Sequence, residues 1–258
     1  MSYRIGFIGV GTISAAMIRG LLREDSQDFQ IVVSPRNAEV AAQLAQEFAQ
    51  VTIATDNQAV IDVSDTVVLA VRPQIAAEVI PALLFRDGQT VISVIATLTR
   101  LQLLAWIPAN ITLAQAVPLP FVEECRGATA VYPNEPDTLR LFNRLGQAVG
   151  CDTVKEYNLL AVASAMMASY FGMMGDIQQW LVQAGLPDAS ARTYISSLFS
   201  ELAHVAEKNQ HVDFEDLVEA HSTKGGLNEQ ACQVFRQQGG TAALHAALAV
   251  IQQRIGDD

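Results

Sequence analysis

Gly9-Val10-Gly11, with Ser14 three residues beyond, follows the apolar run Arg4–Val10 and opens a stretch of helical periodicity, Thr12–Leu22. The pattern is G-x-G-x-x-S. Gly9 permits a tight turn, and Gly11 lets the backbone approach a pyrophosphate. The free N–H groups and positive end of the following helix then hold the phosphates. Ser14 and Ala15 are small enough to keep that helix against a sheet. A lone G-x-G says little, but on a strand–turn–helix at the start of a chain it reads as a dinucleotide loop. The end of the next strand selects the dinucleotide. It reads Val33-Ser34-Pro35-Arg36-Asn37, with a hydroxyl, a guanidinium and an amide but no acid for the ribose hydroxyls. Arginine pairs with a 2′-phosphate, so NADP(H) is favoured over NAD(H); the plainer alternative is a solvated loop arginine.

The elements that must position these residues fall into two halves. In the first, short Val/Ile-rich runs alternate with helical patterns. Strands are expected at Arg4–Val10, Ile31–Ser34, Val51–Ile53, Thr66–Val71, Thr90–Val94, Ile111–Ala116 and Thr129–Tyr132. Helices are expected at Thr12–Leu22, Ala38–Phe48, around Gln58–Val63 and at Asp137–Val149. This alternation implies right-handed βαβ units, hence an α/β fold of the Rossmann type with a doubly wound parallel sheet. After about Val154 the strands stop. Helices are expected at Tyr157–Ala184, Asp188–Lys208, Asp213–Ala220, Asn228–Gln238 and Thr241–Ile255. Residues 1–154 form the expected dinucleotide-binding domain and 155–258 an α-helical substrate and dimerisation domain. The long helices are too apolar for one small bundle to bury, which suggests packing against another subunit.

Composition narrows the classes. The chain has 258 residues, half of them apolar, and a formal net charge of −11. An acidic surface argues against phosphate-backbone binding, so no nucleic acid is expected. No apolar run approaches a membrane span, and no secretory leader is recognisable at the start. Cys125, Cys151 and Cys232 are scattered and odd in number, as in reduced cytoplasmic proteins. His204, His211, His221 and His245 lack metal-ligand spacing, so no metal is expected.

Several segments together resemble the pyrroline-5-carboxylate reductases. They are the opening Ile5–Leu22, then Thr55-Asp56-Asn57, Asp65–Gln74 (DTVVLAVRPQ), Val91-Ile92-Ser93-Val94, Gly127-Ala128-Thr129-Ala130 and the late Gly225-Gly226 turn. The resemblance spans nearly the whole chain in the same order. It implies NAD(P)H-dependent reduction of 1-pyrroline-5-carboxylate to L-proline, by hydride transfer to the cyclic imine in a cytoplasmic homodimer or higher homo-oligomer. Residue by residue, Gly9, Gly11, Thr12 and Ile13 would contact the phosphates, and Ser34 and Arg36 the adenosine phosphate. Asn57 would touch the adenosine ribose region. Ala70, Val71, Arg72 and Pro73 would form the loop beside the nicotinamide ribose. Pro118, Gly225 and Gly226 would bind substrate, at a cleft near the carboxyl ends of the strands. Asn228 and Thr223 would orient the imine.

The chain departs from the family pattern where substrate should sit. Leu119 stands after Pro118 in place of a polar Asn, and Asn228 in place of a Thr. The glycine-rich turn of the first long helix becomes Ser164–Tyr170 without glycine, which predicts continuous helix. These changes leave two other readings open. One is a reductase of the same fold acting on a more apolar imine or carbonyl; the other is a non-catalytic NADP(H)-binding regulator.

Overall fold

A computed structural model of the chain describes residues 3–23 and 28–256. These fall into two compact units: the described residues up to Ala161 with Ile255 and Gly256, and Val162–Arg254.

The first unit alternates strand and helix. Its elements are β1 (Tyr3–Ile8), α1 (Thr12–Leu21), β2 (Phe29–Val33), α2 (Ala38–Glu47), β3 (Val51–Ile53), α3 (Asn57–Val63), β4 (Thr66–Leu69), α4 (Pro73–Val79), β5 (Thr90–Ser93), α5 (Arg100–Trp106), β6 (Thr112–Val117), β7 (Ala128–Tyr132), α6 (Pro136–Asn143), β8 (Gln147–Gly150) and α7 (Val154–Ser164), whose last residues pass into the second unit. The strands form one sheet in the order β3-β2-β1-β4-β5-β6-β7-β8. Every neighbouring pair is parallel except β6 and β7. This is the expected doubly wound α/β fold. The two faces of the sheet bury separate cores, as alternation along each strand requires. Ile5, Phe7, Val68 and Ile92 meet Met17 and Ile18 of α1, Leu44 of α2 and Phe142 of α6. Ile8, Val67, Leu69 and Val91 meet Val60 and Ile61 of α3, Ala76 of α4 and Leu103 of α5.

Two expectations fail. The helix expected over Asp137–Val149 stops at Asn143, and Gln147–Gly150 enters the sheet as β8 beside β7. Gly146 causes the change of direction. Its φ is +140°, and a Cβ there would stand 2.4 Å from the Gly127 carbonyl oxygen. The chain therefore crosses against Gly127 and pairs, with Gln147 N–H donating to the Gly127 oxygen at 2.9 Å. The helix expected over Tyr157–Ala184 is also divided. After α7 the N–H groups of Ala165 and Met166 bond three residues back, to Val162 and Ala163. That tightened turn separates α7 from α8, so the absence of glycine does not make the segment continuous. Helices α4 and α5, of seven residues each, were not foreseen.

The second unit is helical: α8 (Met167–Gln183), α9 (Asp188–Lys208), α10 (Phe214–Ala220), α11 (Leu227–Gln237) and α12 (Gly240–Ile255), which ends in the first unit. Among its described residues only Val162, Ala191 and Ile195 are buried. Tyr170 packs edge-on against Phe199 at 5.8 Å, yet Trp180 is 68% exposed and Phe214 77%. By length and composition alone, Val154–Gln183 could cross a membrane, with a mean hydropathy of 1.3 over its most apolar window. That is an exception to the expectation that no run approaches a span.

Candidate cofactor-binding site

The site begins where β1 ends. Gly9 has φ +95°, and a Cβ there would lie 2.6 Å from the Ala70 carbonyl oxygen. Only glycine satisfies both the turn and the approach of the chain just beyond β4, where the Ala70 N–H donates to the Ile8 carbonyl at 2.9 Å. Three side chains pin the loop. Ser14 Oγ donates to the Gly9 carbonyl at 2.7 Å, and the Gly9 N–H donates to Ser34 Oγ at 3.0 Å. Asn37 Nδ2 donates to the Val10 carbonyl at 2.8 Å. Ser34 is buried, so its hydroxyl serves the loop as well as any ligand. Gly11 is the N-cap of α1 and makes no side-chain cap bond. Nothing lies within 4 Å of where its Cβ would be. Like any helix start, that of α1 leaves its first N–H groups without intrahelical partners and carries a partial positive charge.

A cleft of about 340 Å³ stands over this loop. Of the residues expected to bind the cofactor, Gly9, Gly11, Ser34, Arg36, Asn57, Ala70, Val71 and Arg72 line it. Thr12, Ile13 and Pro73 do not; Ile13 packs toward the core and Pro73 starts α4. Asn57 opens α3, where Asp56 Oδ1 accepts the Ala59 N–H at 2.8 Å and so holds that helix beside the cleft. Ile75 and Val79, one turn apart on α4, complete an apolar wall that the sequence did not reveal. Among the described residues no acid lines the cleft. Arg36 and Arg72 are exposed and make no ion pair among the described residues. In a chain of net charge −11, two unpaired guanidinium groups beside an uncapped helix end fit a polyanion such as a dinucleotide phosphate chain.

The other expected residues lie elsewhere. Pro118 is buried just beyond β6, before a short 3-10 turn at Pro120–Glu124. In the second unit Thr223, Gly225, Gly226 and Asn228 share the turn between α10 and α11. Gly225 has φ +71°, and its N–H donates to Glu229 Oε2 at 2.6 Å. Gly226 N–H donates to the Thr223 carbonyl at 2.7 Å. Asn228 Nδ2 donates to the His221 carbonyl at 2.8 Å, so one of its two donors already closes its own turn. Glu229 was not foreseen as part of that turn. Among the described residues no group of three His, Cys, Asp or Glu side chains is placed to hold a metal.

Sheet order, glycine loop and cationic cleft define a dinucleotide-binding protein of the Rossmann class. A family model described as NADP oxidoreductase, coenzyme F420-dependent, matches residues 4–97, and one described as pyrroline-5-carboxylate reductase dimerisation matches residues 157–257. A pyrroline-5-carboxylate reductase from Pseudomonas aeruginosa is 27% identical over 263 residues, covering 97% of this chain and 95% of its own. The structure of 1-pyrroline-5-carboxylate reductase from Streptococcus pyogenes superposes with a TM-score of 0.86 at 22% identity, covering 98% of each chain. That of the Plasmodium falciparum pyrroline carboxylate reductase with NADP bound superposes with a TM-score of 0.80 at 14% identity, covering 98% of this chain and 97% of that one. Over nearly its whole length the chain is similar to the pyrroline-5-carboxylate reductases, and its second part matches their dimerisation model.

Proposed function

We propose that this protein reduces 1-pyrroline-5-carboxylate to L-proline with NADPH, as its likeness to that family and the names of its relatives suggest. The observation that carries the reading is the pinned Gly9–Gly11 loop beneath a cleft that, among the described residues, no acid lines and in which Arg36 makes no ion pair. Bound NADPH would supply a hydride to the imine carbon, and a proton from water completes the secondary amine. The chain's own residues bind and orient. Gly9, Gly11, Thr12 and Ile13 receive the pyrophosphate through backbone N–H groups and the end of α1. Arg36, assisted by the Ser34 hydroxyl, takes the 2′-phosphate, which makes NADPH the preferred form. Asn57 holds the adenosine ribose region, and Ala70, Val71, Arg72 and Pro73 lie along the nicotinamide ribose. Pro118, Gly225 and Gly226 shape the substrate site. Thr223, with the second N–H of Asn228, orients the imine.

Residues 1–154 act as the cofactor domain and 155–258 as the helical substrate and dimerisation domain. The family model over that second part, with its exposed aromatic rings, supports a homo-oligomer of two or more copies. Three free cysteines suit a reduced cytoplasm.

Product analysis tests the proposal. Purified protein, NADPH and 1-pyrroline-5-carboxylate should yield proline in step with cofactor oxidation. Cofactor oxidation without proline, or no oxidation at all, overturns it.

A further inference from the structure

Successive peptide units of the glycine loop are each held by a group from outside the loop. In the first, the Gly9 N–H donates to Ser34 Oγ at 3.0 Å. In the second, the Gly9 carbonyl accepts from Ser14 Oγ at 2.7 Å. In the third, the Val10 carbonyl accepts from Asn37 Nδ2 at 2.8 Å. The other half of that third unit is the Gly11 N–H, which makes no hydrogen bond among the described residues. The peptide is trans, so this N–H points away from the Val10 carbonyl. A side chain that fixes the carbonyl therefore fixes the direction of the N–H as well. Val10, Gly11 and Asn37 all line the cleft.

Asn37 passes over a nearer use of its side chain to make this bond. It is the N-cap of α2, and its own carbonyl accepts the Ala41 N–H at 3.0 Å. An asparagine at that position commonly turns its side-chain oxygen onto the second or third N–H of its helix. Asn37 makes no such cap bond. Its amide reaches across 27 residues of sequence to the glycine loop instead. Arg36 stands next to it, so one short stretch carries both the guanidinium at the cleft and the amide that holds the loop.

We propose that Asn37 is a positioning residue for the cofactor: through the Val10 carbonyl it holds the Gly11 N–H in the direction that meets a pyrophosphate oxygen. The inference rests on the dinucleotide reading of this cleft and adds a residue that acts through a peptide plane rather than by touching the phosphates. With Asn37 in place, little binding energy is spent on ordering the loop. Without it the peptide is free to turn, and a turned peptide offers the phosphate a carbonyl oxygen, which repels it.

Two variants and three probes separate this role from direct contact. Asn37→Ala removes the amide. Asn37→Ser removes the reach to Val10 but supplies a hydroxyl suited to capping α2. NADPH and NADH share the pyrophosphate and differ in the 2′-phosphate; inorganic pyrophosphate has no adenosine for Asn37 to touch. Fluorescence titration of the purified full chain with each dinucleotide, and displacement of NADPH by inorganic pyrophosphate, should show all three weakened about three- to tenfold in both variants, the worth of one neutral hydrogen bond. Asn37→Ser should melt above Asn37→Ala yet bind no more tightly. Affinity that recovers with melting temperature would make Asn37 a structural cap. Loss for NADPH alone would make it a 2′-phosphate contact, and loss for both dinucleotides with pyrophosphate unmoved an adenosine contact. Each of these, or unchanged affinity for all three probes, overturns the proposal and leaves the cofactor reading standing. A wild-type chain that binds no NADPH overturns that reading, and the proposal with it.

Discussion

At the scale of single residues, the glycine loop was legible because its demands are local. Gly9 is set by a turn and by an approach to Ala70 that only a missing Cβ permits, while Gly11 leaves the space at the start of α1 open. Arg36 stands out in the sequence because the residue at the end of the second strand chooses between ribose and phosphate, and the structure places it in the wall of the cleft. Replacing Arg36 by Gln should raise the Kd for NADPH about 10- to 100-fold, the worth of one charge-assisted bond, and leave NADH unaffected. Fluorescence titration with both cofactors checks this; equal losses for the two would contradict it. The pins were not legible. Ser34 and Asn37 reach Gly9 and Val10 across 25 and 27 residues of sequence, and their types alone point as readily to ligand as to loop. Ser34→Ala leaves the Gly9 N–H without its partner. It should lower stability by about 1–3 kcal/mol in urea unfolding and weaken both cofactors, NADPH the more because its 2′-phosphate also loses the hydroxyl. Equal weakening of the two would make Ser34 a pin of the loop alone.

At the scale of elements, the buried parallel strands declared themselves. Thr66-Val67-Val68-Leu69 is wholly buried, and such a run has no solvent face to show. Leu69→Ala should cost about 2–5 kcal/mol, measured as a shift of the urea midpoint with an unchanged slope. Elements whose cause lies elsewhere in the chain were misread. The strand Gln147–Gly150 exists because Gly146 can pass against Gly127, a contact invisible to periodicity. The break after Ser164 arises from bonds to Val162 and Ala163, not from a glycine. Helix α6 also carries a pH dependence. Burial pushes Glu135 up, but hydrogen bonds from Thr138 and Asp137 outweigh it and hold the carboxyl below its usual value. Its carboxylate accepts their N–H groups at 2.6 and 3.0 Å as the helix N-cap. A lowered pKa means stability that is present above the unfolded value and lost as pH falls through the folded one. Thermal unfolding should therefore show that Glu135→Gln narrows the gap between melting temperatures at neutral and acid pH. An unchanged gap would sink the assignment.

At the scale of the whole molecule, composition already indicated that the helical half could not bury its own apolar residues. In the structure the second unit, Val162–Arg254, holds only three buried residues among those described, while Trp180 and Phe214 stand open. Surface of this kind needs a second apolar surface, which another copy of the chain would supply. Analytical ultracentrifugation should find a dimer or larger, and Trp180→Glu should shift it toward monomer; a monomeric wild type would contradict the reading. The substrate half of the account was the least legible, because Leu119 and Asn228 depart from the family pattern at the positions that specify a small polar imine. The decisive measurement is therefore the initial rate of reduced-nicotinamide oxidation with 1-pyrroline-5-carboxylate, NADPH and NADH run side by side on the purified full chain. The account predicts turnover with both and a higher kcat/KM for NADPH. Firm NADPH binding with no oxidation of cofactor by this imine would contradict it.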